Sequence, residues 1–432
     1  MTGVLFGVIP ALASARVDVR DALQDAGRGT TAAGRRTRGV LISAEVALAV
    51  LLLVAMTMLA KSFANVQAVA PGFDPSGVLT ARLTLPAKRF NDRDAIVLFQ
   101  RALAARVSAL PGVTHSGAIS LLPLSGLLSR VPFTVEGRAL ERERVPAAQF
   151  RTVTPRYFDA AGIPLKRGRL FTDRDTERAP AVAVVSEELV RRWLDGLDPI
   201  GARLLVDDND GPPRPIEIVG VVGNVQQVAL DEEPTWDLYL TYPQIHRDNV
   251  GAAAANMFWV VRTSGDPMSL ANSVANEVRR IDPEVVASQI RPLDNYLGDA
   301  LGPRRFSLSV MAAFAFAALG LALTGIYAVV MYGVSQRARE IGIRLALGAT
   351  RARIVRLVIG DGVRFVAIGV AAGIAMAAVL TRLLSTMLFG VAATDALTYA
   401  QVAIAVSVVA VLACAVPAAR VGRLANGVLN AG

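Results

Sequence analysis

Glu340 and Arg344 stand four residues apart in the run Gln336–Arg356, whose other charges are all arginines: Arg337, Arg339, Arg351, Arg353 and Arg356. At that spacing an acid and a base stabilise each other on an exposed helix face. Ile341 with Leu345, and Ile343 with Leu347, give the same helix apolar sides, and Gly348 is placed to end it in the left-handed conformation. Arg351–Ile359 then sets Ile354, Leu357 and Val358 opposite arginines, as expected of a helix lying at a membrane surface. Such a segment can be gripped and pushed. Catalysis has no comparable signal: there is no G-x-x-x-x-G-K-[ST], H-E-x-x-H or G-x-S-x-G, and Gly220-Val-Val-Gly223 is only a fragment of a glycine pattern. His115 and His246 lack neighbours at ligand spacing. Asp207 and Asn209 fit two positions of a calcium loop, but Gly211 and Ile218 occupy ligand positions. No metal and no cofactor is assigned.

The elements that must hold this segment are membrane spans. Gly39–Ala60 carries one charge, Glu45; Leu308–Val334 and Ala396–Ala419 carry none; Phe365–Thr381 is an uncharged core between Arg364 and Arg382. A span needs about 20 apolar residues, which gives helices over 39–60, 306–334, 363–388 and 396–419. Lys61–Arg305, between the first two, balances 29 basic against 29 acidic residues, so the net charge of +9 sits beside the membrane. Nucleic-acid binding is therefore excluded as the reading of the high pI. Arginines cluster before the first span (Arg16, Arg20, Arg28, Arg35, Arg36, Arg38), between the second and third, and after the fourth (Arg420, Arg423). The positive-inside rule makes 1–38, 335–362 and 420–432 cytoplasmic and 61–305 external.

The external part reads as two strand–helix–strand units. The first is Val78–Leu85, Asp94–Leu110 and Val113–Leu121; the second is Met257–Arg262, a helix opened by Asp266-Pro267, and Val285–Ile290. Their helices are expected on one face of a shared sheet. Arg151–Thr241 is taken as an inserted subdomain. The fold class is thus α+β: four transmembrane helices with a large extracytoplasmic two-subdomain α/β insertion between the first and second.

Inside the membrane, Gly369, Gly373 and Ala377 form a stripe suited to close helix packing. Glu45, unpaired at the bilayer centre, would cost roughly 2.5–3.5 kcal/mol, and Arg364 lies near the same leaflet, so a Glu45–Arg364 pair is expected.

The block from Arg337 to Thr350, followed by two more spans, resembles the FtsX/MacB-type permeases of ABC transporters. Thr154-Pro-Arg-Tyr-Phe158, Gly162-Ile-Pro164, Gly168-Arg-Leu-Phe171, Asp198-Pro-Ile-Gly201 and Val219–Gly223 are similar to that family's periplasmic core domain. Arg38–Phe63 with Pro71-Gly-Phe-Asp74 looks like the internal junction of its duplicated branch, and Pro10–Val17 looks like Pro417–Val421, as if residues 1–20 were the remnant of a preceding repeat. The resemblance implies a subunit of the bacterial cytoplasmic (inner) membrane that couples a separate cytoplasmic ABC ATPase dimer, which alone uses ATP, to work by the external domain. Arg339, Glu340, Ile341, Gly342, Ile343, Arg344, Leu345, Ala346, Leu347, Gly348 and Ala349 become the ATPase-coupling surface. A second permease copy, or a missing first half, is the expected partner within the bilayer. Two alternatives stay open: a scaffold that activates an envelope enzyme, and a truncated inactive half-permease.

Overall fold

The computed structural model describes residues 32–138, 145–207, 212–246, 249–336, 343, 351–383, 388–392 and 394–429, with side chains of 32–36, 351–359, 361 and 416–429 left aside. The chain divides into two units. One is 65–305; the other joins 1–64 to 306–432.

In the first unit, β1 (Val78–Thr84), β2 (Val113–Ile119), β10 (Met257–Thr263) and β11 (Val286–Pro292) form an antiparallel sheet in the order β11-β1-β10-β2. The register runs from Val78 opposite Arg262 to Leu83 opposite Met257. Helix α2 (Arg93–Ser108) is capped by Asp92, whose carboxylate accepts from the Asp94 amide, and it buries Ile96, Phe99, Leu103 and Val107. Helix α6 (Ala271–Ile281) follows a turn opened by Asp266 and buries Val274 and Val278. Both helices share one core with Leu79, Leu83, Trp259 and Val261, so they cover a single face of the sheet. That is the arrangement expected from the two strand–helix–strand units.

The remaining strands are β3 (Arg130–Val135), β4 (Ala147–Val153), β5 (Leu165–Gly168), β6 (Val182–Ser186), β7 (Arg203–Val206), β8 (Arg214–Val222) and β9 (Asp237–Thr241). The path β4-β3-β7-β8-β6-β9 closes on itself through a parallel pairing of β9 with β4, Gln149 opposite Asp237 to Val153 opposite Thr241. Closure leaves no free edge in this ring. Its interior holds Val131, Phe133, Val135, Leu204, Val206, Ile216, Ile218, Leu238 and Leu240. Helix α3 (Tyr157–Ala161) ends at Gly162 in the left-handed region, φ 68°, and α4 (Glu187–Trp193) starts from a Ser186 cap. The ring begins at Arg130, some twenty residues before the 151 read from sequence. Strand β3 alternates exposed and buried positions through Val131, Phe133 and Val135, and Pro132 within it hid the period.

The second unit is a bundle of α1 (Ala32–Gln67), α7 (Asp294–Gln336), α8 (Arg351–Leu383) and α9 (Ala396–Leu429), each containing a stretch long and apolar enough to cross a membrane. Their common core joins Val46, Val50, Val54 and Met58 of α1 to Ala322 and Ile326 of α7, Val366 and Ala377 of α8, and Val406 and Ala410 of α9.

Candidate functional site

The segment between α7 and α8 is the candidate point of force entry. Of its residues only Ile343 is described, helical and exposed; Arg339, Glu340, Ile341, Gly342, Arg344, Leu345, Ala346, Leu347, Gly348 and Ala349 lie outside the described residues. What the structure does define is how α8 packs.

Helix α8 lies parallel to α1 at backbone distance. A Cβ built on Gly369 would come within 2.7 Å of the Ser43 carbonyl oxygen, and one on Gly373 within 2.7 Å of the Ala47 carbonyl oxygen. Real Cβ atoms do not approach that closely, so glycine is required at both positions. One turn earlier the fit is reciprocal: a Cβ on Gly39 of α1 would meet the Phe365 ring of α8 at 2.1 Å. Ser43 Oγ donates to the Phe365 carbonyl at 3.0 Å, and Ala377 completes the stripe, buried. The small-residue stripe thus has a partner face, α1. Small residues matter in lipid because dispersion between close backbones replaces the missing hydrophobic drive.

Helix α9 packs antiparallel to α8. Gly362 faces Cys414 near one end, and Thr381 shares a 2.8 Å hydrogen bond with the Tyr399 hydroxyl near the other. At the same end as Tyr399, Lys61 of α1 donates to Asp395 at 2.6 Å and to Thr398 at 2.7 Å. The hydrogen bonds that Lys61 and Thr398 donate to Asp395, Lys61 first, hold its carboxyl down to about 2. Lys61 lies at the end of α1 away from the cytoplasmic arginines, and its partner, 334 residues away, could not be read from local spacing.

The expected Glu45–Arg364 pair is not formed. Glu45 turns to α7, where its Oε2 would lie 2.5 Å from a Cβ on Gly325, and that oxygen is buried with no hydrogen-bond partner among the described residues. Arg364 is exposed on α8. Matching depth along two helices does not fix rotation about their axes, and the rotation here is set by the glycine contacts. Arg38 instead stacks on the Tyr332 ring of α7 at 4.2 Å.

The family-like motifs of the outer unit meet at one junction. The Pro71 carbonyl accepts from the Gln226 amide at 2.9 Å, and the Asp74 amide donates to the Ala161 carbonyl at 2.9 Å. Arg262 binds the Asp74 carboxylate at 2.9 Å. The Gly223 amide donates to the Pro164 carbonyl, and the Gly201 amide to that of Ile218. Thr154 Oγ1 accepts from the Ala118 amide at 2.7 Å. These residues fasten ring to sheet and carry no catalytic arrangement. Beside them lies a buried charge cluster that sequence reasoning missed. Arg151 and Asp237, both fully buried, approach at 3.6 Å. Gln227 Nε2 donates to Asp237 at 3.1 Å and to the Tyr239 hydroxyl at 3.0 Å. Burial pushes the Asp237 carboxyl up to about 6, with Arg151 and the hydrogen bonds from Gln227 and Thr235 opposing it.

A model of the MacB-like periplasmic core domain matches residues 39–281, and one of the FtsX-like permease C-terminal region matches 312–425. The chain belongs to the MacB/FtsX-like family of ABC transporter permeases, membrane proteins with an extracytoplasmic domain. It is 22% identical over 300 residues to the macrolide export ATP-binding/permease protein MacB of Neisseria gonorrhoeae, covering 68% of this chain and 43% of that one. It is 22% identical over 262 residues to the uncharacterized ABC transporter permease YknZ of Bacillus subtilis, covering 60% and 64%. The chain thus spans less than half the length of that MacB relative. Among solved structures, the periplasmic region of MacB from Actinobacillus actinomycetemcomitans aligns with TM-score 0.36 and 16% identity, over 54% of this chain and 97% of that one. The extracellular domain of YknZ aligns with TM-score 0.30 and 14% identity, over 47% and 91%.

Proposed function

We propose that this chain is the permease subunit of a bacterial cytoplasmic-membrane ABC transporter, in which a separate cytoplasmic ATPase dimer grips 339–349 and drives conformational work by the extracytoplasmic domain. The observation that carries this reading is the fit of Gly369 and Gly373 on α8 to the Ser43 and Ala47 carbonyls on α1. The coupling segment runs covalently into α8. A shift of α8 is therefore passed to α1 through close-packed backbone, which resists compression far better than a layer of long side chains. Helix α1 ends at Gln67, ten residues before β1 starts at Val78, and α7 begins at Asp294, directly after β11 ends at Pro292. ATP chemistry is assigned to the partner, in keeping with the absence of a phosphate loop from this sequence. Work on the outer domain in this scheme expels a substrate from the extracytoplasmic side and needs no continuous pore.

The test combines topology and transmission. In a Cys414→Ala background, Ser76→Cys should react with an impermeant thiol reagent in intact cells and Ser335→Cys should not. With the protein and its ATPase in proteoliposomes, a distance between spin labels within the outer unit should change on ATP binding in wild type and not in Gly373→Leu. Unchanged distances in wild type would overturn the reading.

A further inference from the structure

We propose that Lys61, Asp395 and Thr398 form a latch that makes α1 and the α8–α9 hairpin move as one body; this rests on the coupling reading above and names the element that keeps the stroke from dissipating. Two consecutive α1 residues hold both ends of the short connection between α8 and α9. Lys61 Nζ donates to Asp395 Oδ2 at 2.6 Å and to Thr398 Oγ1 at 2.7 Å. Thr398 Oγ1 donates in turn to Asp395 Oδ2 at 2.8 Å, so the three groups close a ring. Asp395 Oδ1 accepts from the Leu397 amide at 3.2 Å, which seats the carboxylate on the first turn of α9. Ser62 Oγ, buried, accepts from the Phe389 amide at 3.0 Å at the other end of the connection.

Charge-assisted hydrogen bonds of this kind are the strong ones; Thr398 is fully buried, while the Lys61 and Asp395 side chains keep 36% and 25% of their surface exposed. The latch complements the glycine interface. Gly369 and Gly373 fix α8 to α1 along the first half of the span, while Lys61 and Ser62 fix the connection to α1 beyond its far end. Together they triangulate α1 against the hairpin. Against α7, by contrast, α1 places Glu45, whose Oε2 has no hydrogen-bond partner among the described residues, the Arg38 stack on Tyr332, and an apolar core supplied by Ala318, Ala322, Ile326 and Val330. A surface of that kind can slide, whereas a closed ring of directional bonds either holds or breaks. The geometry therefore assigns the moving boundary to α7 and the fixed one to α8–α9.

The experiment uses the full chain in lipid nanodiscs and, with its ATPase, in proteoliposomes. Lys61→Met and Asp395→Asn should each raise amide hydrogen exchange across 388–397 and lower permease-stimulated ATP hydrolysis by roughly 5-fold, the low end of measured coupling between sites. The swap Lys61→Asp with Asp395→Lys should restore both, which a folding defect would not do. Cross-linking Lys61→Cys to Asp395→Cys with a short bis-thiosulfonate reagent, in the Cys414→Ala background, should leave stimulation intact because the two ends travel together. Loss of stimulation on cross-linking, recovered on reduction, would overturn the proposal by showing that the latch opens in each cycle. Raised exchange with undiminished stimulation in the single variants would overturn it as well. A wild-type chain that does not stimulate the ATPase overturns the coupling reading itself, whereas unchanged exchange in the single variants beside intact stimulation overturns the latch alone.

Discussion

Gly373 of α8 sits so close to Ala47 of α1 that a Cβ on the glycine would come within 2.7 Å of the alanine carbonyl oxygen and touch Val50 as well. The obstacle is backbone, which cannot rotate out of the way. Gly373→Ala should lower the melting temperature of the protein in nanodiscs, with a cost of about 1–3 kcal/mol from overpacking. Gly320→Ala is the control, because nothing lies within 4 Å of a Cβ at that position; it should leave the melting temperature within a degree or two of wild type.

A double-mutant cycle on Glu45→Gln and Arg364→Gln should be additive to within about 0.5 kcal/mol, as for sites that share no contact. The carboxylate faces Gly325 and the guanidinium is exposed on another helix. A coupling energy above that limit, measured by thermal unfolding in nanodiscs, would restore the ion pair that charge and depth alone suggested.

The outer domain carries a pH signature in Asp237. Its carboxyl is raised to about 6 in the folded state by burial, above the unfolded value of about 3.9. A group raised in this way contributes stability that is fully present below the unfolded value and is lost as the pH climbs through the folded one. Wild type should therefore exceed Asp237→Asn in stability by more at pH 4.5 than at pH 7.5. Calorimetry of both proteins at the two values decides it. A gap that widens towards pH 7.5 would mean that Arg151 holds the carboxylate ionised throughout.

Much of this architecture is legible in the sequence because its signals are local. The apolar runs at 39–60 and 396–419, the helix register of Ile96, Phe99, Leu103 and Val107, and the Asp266-Pro267 helix start each depend on neighbours within a few residues. The stripe Gly369, Gly373, Ala377 was visible for the same reason. What could not be read depends on rotation and on distant partners. Glu45 and Arg364 match in depth, yet the α1–α8 glycine contacts turn Glu45 towards α7. Lys61 reads as a stray charge until the fold brings Asp395 to it. Arg151 and Asp237 look like ordinary strand-edge charges, and only the parallel β4–β9 pairing encloses them. The ring's early start at Arg130 is masked by Pro132, whose presence argues against a strand, although it sits opposite Ala147 of β4 and its carbonyl accepts from the Asp207 amide.

Residues 339–349 are proposed as the place where a cytoplasmic ATPase takes hold. Glu340→Lys removes the acid of the i, i+4 spacing with Arg344 read from the sequence and adds a positive charge, and Gly348→Val disfavours the left-handed helix end expected there from the sequence. Neither lies in a membrane span, so both variants should insert as wild type does. Reconstituted with its ATPase, the wild-type permease should copurify with the enzyme and accelerate ATP hydrolysis, while each variant should bind poorly and return hydrolysis towards the permease-free rate. Full association and full stimulation in both variants would contradict the claim and place the motor elsewhere on the cytoplasmic face.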